Sequence, residues 1–262
     1  MISTTLPRSE RAGLSAIVVG EGRPVVLLHG VGLRAEAWGP QIDALRDNYQ
    51  VIAPDMPGHG QTPPNPQFRV LDDYVRAVLH LLRTLDEPAV VVGHSMGAMI
   101  ALELAKAAPD RVGAVAALNG VFERGAKARE AVQGRAAILD GKVLPDTKPT
   151  LERWFGAKLS PERAACEAWL LSVDPLGYQR AYTAFAHADG PSRSTLEGMA
   201  CPALFATGAR EPNSTPEMSR KMAHHSPKGR ALIVEGAAHM MPMTHAEVLN
   251  PALLDFVQEV RA

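Results

Sequence analysis

The pentapeptide Gly93-His94-Ser95-Met96-Gly97 places a serine between two glycines, after the apolar run 89–92 and before the helix-like run 98–102. A chain that turns so sharply from strand to helix leaves room only for very small flanking residues, and it pushes the hydroxyl outward as a nucleophile. A hydroxyl is a weak nucleophile at neutral pH, so a base must take its proton, and a carboxylate must hold that base in one tautomer. His239 is the expected base, because the small-residue loop Gly236-Ala237-Ala238-His239 follows a late apolar run at 230–234. Glu211 is the expected acid. It stands just past the run 204–207 and preserves the order nucleophile, acid, base. Glu123, just beyond Leu118-Asn119-Gly120, is the alternative acid from another strand end. Negative charge developing on a carbonyl oxygen needs preorganised donors. The amide of Met96, directly after the nucleophile, and that of Val31, in His29-Gly30-Val31-Gly32, are placed to supply them.

These side chains converge only if the intervening chain forms a sheet with all its strand ends on one edge. Short apolar runs at 24–28, 49–53, 89–92, 111–118, 202–207 and 230–234 alternate with helical patterns, which is how a mostly parallel sheet with helices on both faces reads. Helical spacing runs through Val70, Tyr74, Val78, Leu81 and Leu85, and a further helix is expected from Ala35 through Leu45. Between 121 and 199 the strand rhythm stops and helical segments take over. We therefore expect a core domain over 1–120 and 200–262 and a helical lid over 121–199, inserted after the sixth strand. Within the lid, Ser160 followed by Pro161 and Glu162 marks a helix start. Asn250 followed by Pro251 marks the expected start of the last helix.

Read together, His29-Gly30-Val31-Gly32, Asp55-Met56-Pro57-Gly58-His59-Gly60, the Gly93 to Gly97 elbow, and the segments from Gly208 and Gly236 resemble the α/β-hydrolase fold family over nearly the whole chain. The size, single lid and glycine-rich loop are most similar to its small carboxylesterases and enol-lactone hydrolases. The resemblance implies a cofactor-free, metal-free hydrolase of a small ester or lactone working through an acyl-enzyme. Carbon–carbon bond hydrolysis of a diketone, or a slow ligand-binding protein on the same fold, are its alternatives. One departure stands out: the family usually carries aspartate where this chain has Glu211.

Lid aromatics, among them Trp154, Tyr178, Tyr182 and Phe185, are expected either to contact an apolar substrate group or to hold the lid helices together. His187 is the lid histidine expected to contact substrate, and Met240, beside His239, is expected to bind substrate by lining the pocket, with filling of core space as its other use. His29, His59 and His94 read as structural. Arg124, Lys127 and Arg129 read as a solvated basic face, with neutralisation of a carboxylated substrate as their other use. The 262 residues are 46% hydrophobic with a formal net charge of −1, and no basic stripe points to nucleic acid or an anionic membrane. Cys166 and Cys201 stand in no metal-like spacing. Residues 1–8 lack the pattern of a secretory signal, so a cytoplasmic monomer or homodimer acting on a small molecule is the expectation.

Overall fold

The computed structural model describes residues 6–260. The first five residues, on which part of the signal-sequence expectation rests, lie outside this range. Two short strands, β1 (Arg8–Arg11) and β2 (Leu14–Val19), precede β3 (Pro24–Leu28), α1 (Gly39–Leu45), β4 (Gln50–Pro54), α2 (Leu71–Leu82) and β5 (Ala89–His94). Then come α3 (Met96–Ala107) and β6 (Val112–Leu118), followed by α4 (Ala126–Ala137), α5 (Lys148–Phe155), α6 (Pro161–Ser172), α7 (Pro175–Ala186) and α8 (Arg193–Glu197). The chain returns to the sheet as β7 (Ala203–Gly208), α9 (Pro216–His225), β8 (Gly229–Val234), α10 (Met241–Thr244) and α11 (Ala246–Glu259).

Among the described residues the strands form one eight-stranded sheet in the order β1-β2-β4-β3-β5-β6-β7-β8. Every pair from β4 to β8 is parallel, while β2 runs antiparallel to both β1 and β4. Parallel strands carry their crossovers on the faces, so both faces are buried and the strands read as unbroken apolar runs. Successive residues accordingly enter opposite cores: Val26, Leu28 and Val91 join one cluster, Val25, Leu27, Val90 and Val92 the other. The first cluster also contains Leu151, Leu170, Tyr178 and Ala181 of the inserted helices, so that segment shares its core with one face of the sheet.

Three local expectations are corrected. The β1–β2 hairpin was not expected, because its outer strand Arg8-Ser9-Glu10-Arg11 is polar and largely exposed, with nothing apolar to mark it. The segment from Ala35 divides into a 3-10 turn at Ala35–Trp38 and α1. The last helix begins at Ala246 rather than at Asn250, and Pro251 lies inside it. Asn250 is engaged elsewhere, its side-chain amide donating to the Pro40 carbonyl at 2.9 Å and accepting from Gln41 at 2.7 Å. Ser160 does cap α6, accepting the Arg163 amide at 3.2 Å. No helix among the described residues is long and apolar enough to cross a membrane.

A close backbone approach docks the inserted helices on the core. Gly58, in the turn after β4 with φ of +82°, meets Gly177 in the first turn of α7. A Cβ added to Gly58 would lie 2.2 Å from the Gly177 Cα. Neither position has room for a side chain.

Candidate active site

The elbow between β5 and α3 is as tight as its sequence requires. Ser95 adopts φ of +58°, a conformation rare outside glycine, so the backbone is held there by its surroundings. Its amide donates to the Leu118 carbonyl at 2.9 Å. A Cβ on Gly93 would meet the Gly97 carbonyl oxygen at 2.1 Å, and one on Gly97 the Leu28 oxygen at the same distance. Any larger residue at either flank would break the turn.

His239 arrives from the loop after β8 and Glu211 from the loop after β7, on the same strand-end edge as Ser95. The ring Nδ1 donates to Glu211 Oε2 at 2.7 Å, which leaves Nε2 as the basic nitrogen. Glu211 is buried. Burial alone would raise its carboxyl pKa, but the opposite charge and hydrogen bond of His239, with the amides of Asn213 and Ser214, hold it at about 2. Trp154 stacks on the His239 ring, with centroids 5.6 Å apart and planes inclined by 23°. Ser95 and His239 line one cavity, and among the described contacts no hydrogen bond joins them. Nucleophile and base commonly tighten only when substrate is bound.

Two neutral imidazoles shape the loop after β3. His29 Nε2 accepts the Met56 amide at 2.9 Å while its Nδ1 donates to the Gly30 carbonyl at 2.8 Å. His59 Nε2 accepts the Gly32 amide at 3.0 Å. Burial, with His29 as a like-charged neighbour, drops His59 to about 3. The Gly32 amide is thereby occupied, and among the described residues the Val31 amide has no partner. Met96, first in α3, has no carbonyl one turn earlier to accept its own amide. Neither the Val31 nor the Met96 amide has a hydrogen-bond partner among the described residues.

The cavity wall comes from the inserted helices, with Trp154, Tyr178, Tyr182 and Phe185 as apolar surface and Arg124, Arg135 and Arg153 as cations. Arg124 bonds the Ala186 and Ala188 carbonyls and lies near Asp189. Arg135 donates to the Tyr182 hydroxyl at 2.9 Å and Arg153 to the Thr150 hydroxyl at 2.8 Å. Neither forms an ion pair with an acid among the described residues. Burial, and then the nearby Arg135, lower the Arg153 pKa, so its partly desolvated charge is balanced by no acidic side chain among the described residues.

Several sequence expectations take new places. Glu123 lies exposed on the surface, ion-paired with Arg193 at 2.6 Å, so the alternative acid does not reach the base. His187 is exposed at the end of α7, accepting a bond from Gln133 over an outer groove rather than facing the cavity. Met240 is buried in a small crevice with Trp38 and His94 and does not line the cavity, so the expected substrate contact is not formed there. Arg124 is buried and faces the cavity, whereas Lys127 and Arg129 are exposed. Sequence reasoning missed Arg135 and Arg153. It also missed His94, whose Nε2 donates to the His239 carbonyl at 2.8 Å and ties the elbow to the base.

Residues 25–252 match the sequence profile of the alpha/beta hydrolase family. The chain is 42% identical over 258 residues to an (E)-2-((N-methylformamido)methylene)succinate hydrolase from Acinetobacter baylyi, covering 97% of each protein. It is 28% identical to a pimeloyl-[acyl-carrier protein] methyl ester esterase from Neisseria meningitidis, over 91% of this chain and 94% of the relative. Among solved structures, the enol-lactonase from Burkholderia xenovorans superposes with a TM-score of 0.81 at 26% identity, over 96% of this chain and all of the other.

Proposed function

The chain belongs to the alpha/beta hydrolase family, and we propose that it is a serine hydrolase cleaving an acyl bond of a small carboxylate-bearing substrate through an acyl-enzyme. The observation that carries this reading is a single cavity holding Ser95, the Glu211-oriented His239, and two arginines that lack acidic partners. Ser95 Oγ bonds to the acyl carbon as its proton passes to His239 Nε2, and the amides of Val31 and Met96 hold the resulting oxyanion. The carbon–heteroatom bond then breaks, with His239 returning the proton to the leaving atom. Water enters, gives a proton to the same ring, and releases the acid with Ser95 restored. The sequence balances without a redox step or a cofactor.

Two relatives support a particular kind of acyl bond. The formamidomethylene-succinate substrate has its acyl group on an alkene-bound nitrogen, and an enol-lactone has its acyl group on an alkene-bound oxygen. Either leaving group is stabilised as an enamine or enol. We take the substrate to be an acylated enamine or enol bearing carboxylates, which Arg135 and Arg153 neutralise. A simple ester or lactone without further acid groups is the second reading, supported by the methyl ester esterase relative.

The test offers the purified protein an amidomethylene-succinate, its dimethyl ester, an enol-lactone, a simple aryl ester and a diketone. Turnover should be fastest for the dianion, slow for its dimethyl ester, and absent in Ser95→Ala. Preference for neutral esters would favour the second reading, and diketone cleavage without acyl turnover would replace both.

A further inference from the structure

At the end of β6 the chain places an asparagine in a position that the reaction above does not use. Asn119 is buried, has φ of +52°, and extends the ladder to β7 through its amide, which donates to the Ala206 carbonyl at 2.8 Å. Its side chain therefore lies beneath the loop that carries the acid. The Nδ2 group donates to Thr207 Oγ1 at 3.2 Å and to Glu211 Oε2 at 3.3 Å. Thr207 gives its own proton to the Ser214 carbonyl at 2.7 Å, so its oxygen can only accept from Asn119. Turning the amide over would set its oxygen against a carboxylate and a hydroxyl with no proton to give. The orientation is thus unique, and it leaves the buried Asn119 Oδ1 without a protein partner among the described residues.

A glutamate has one more rotatable bond than an aspartate, so its carboxylate needs more contacts to stay on one target. Glu211 Oε1 accepts the amides of Asn213 at 2.8 Å and Ser214 at 3.4 Å. Oε2, the oxygen that meets His239, receives only one further donor among the described residues, and that is Asn119. We propose that Asn119 is a positioning residue that pins the Glu211 carboxylate against the His239 ring, and so sets the reactivity of Ser95. The proposal rests on the Ser95, His239 and Glu211 assignment above.

The charged and titratable groups facing His239 are Glu211, the His94 ring at 4.8 Å, and the cavity guanidinium groups of Arg124, Arg135 and Arg153. Of these groups only Glu211 is hydrogen-bonded to Asn119. The experiment reads the rate at which a fluorophosphonate labels Ser95 across pH, which needs no knowledge of the natural substrate. Asn119→Gly keeps the positive φ without strain and removes only the amide. The Gly variant should lower the plateau rate about tenfold, as expected for one lost hydrogen bond to a charged group. Asn119→Asp also tolerates that backbone, and it sets a second buried carboxyl against Glu211, where the pair keeps one proton between them and a donor to Oε2 is retained. The Asp variant should therefore label Ser95 faster than the Gly variant, with the advantage lost as rising pH removes that proton. Thermal melts establish that both variants fold. A Gly plateau within twofold of wild type, or an Asp variant no faster than Gly at any pH, would overturn the proposal. Labelling that survives Ser95→Ala would instead remove the parent assignment, whatever residue 119 does.

Discussion

Replacing Glu211 by glutamine tests the whole arrangement with one changed atom. The carboxylate accepts from His239 and Asn119 on one oxygen and from the amides of Asn213 and Ser214 on the other, so all its near neighbours are donors. A glutamine amide must turn its own NH2 toward one of these pairs. If it faces His239, the ring has to shift its proton to Nε2 and ceases to be a base. If it faces the backbone, two amides lose their acceptor. The charge also disappears. Opposite charges about 4 Å apart at an effective dielectric constant of about 20 attract by about 4 kcal/mol, which is roughly three decades of rate if lost only in the transition state. We therefore expect kcat/KM to fall by about 1,000-fold in Glu211→Gln with little change in KM. Glu123→Gln, on the exposed Arg193 ion pair, should stay within twofold. Steady-state kinetics beside thermal melts decide the matter: a Glu211→Gln enzyme that is folded and keeps a tenth of its activity would refute the assignment. Since the Glu211 carboxyl is held at about 2, it stays ionised well below neutral pH and does not itself set an acid limb there.

Arg135→Ala and Arg153→Ala should each raise KM for a carboxylated substrate by roughly tenfold or more, as expected for losing a charge-assisted hydrogen bond, while a neutral aryl ester is unaffected. Equal effects on both substrates would show that the arginines only support the wall. Stability should depend on pH through His29, His59 and His94, whose pKa values burial lowers, to about 3 for His59 and His94. Below about 6.5 the unfolded chain takes up protons that the folded chain refuses, so each histidine contributes stability that is lost as pH falls from there toward its folded value, at up to about 1.4 kcal/mol per pH unit. Urea unfolding at pH 7 and pH 5.5 should show this loss, and His59→Gln should make the dependence shallower; a slope unchanged by that substitution would contradict the burial argument.

What the sequence disclosed was mostly what short stretches of backbone decide. Gly93 and Gly97 announce the elbow because a Cβ at either would strike main-chain atoms nearby, and the order of Ser95, Glu211 and His239 follows from which strand ends share an edge. Arg135 and Arg153 were hidden because periodicity locates a helix but not which face looks into a cavity built from other helices. Asn250 was misread because its side chain is committed to α1, more than 200 residues away in sequence. His94 was expected to point away from the chemistry, and only the folded loop after β8 brings the His239 carbonyl to its ring.

The contact of Gly58 with Gly177 has a bearing on how the cavity opens. Two bare backbones pressed together act as a keystone between the roof and the sheet, and a methyl group at either place would work as a wedge. Traffic of small molecules past this joint is improbable, since α7 cannot lift there without breaking it. Entry is better sought where Arg153 and Trp154 border both the inner chamber and a broad outer trough. The tryptophan resting on the imidazole would then be a door as well as a wall.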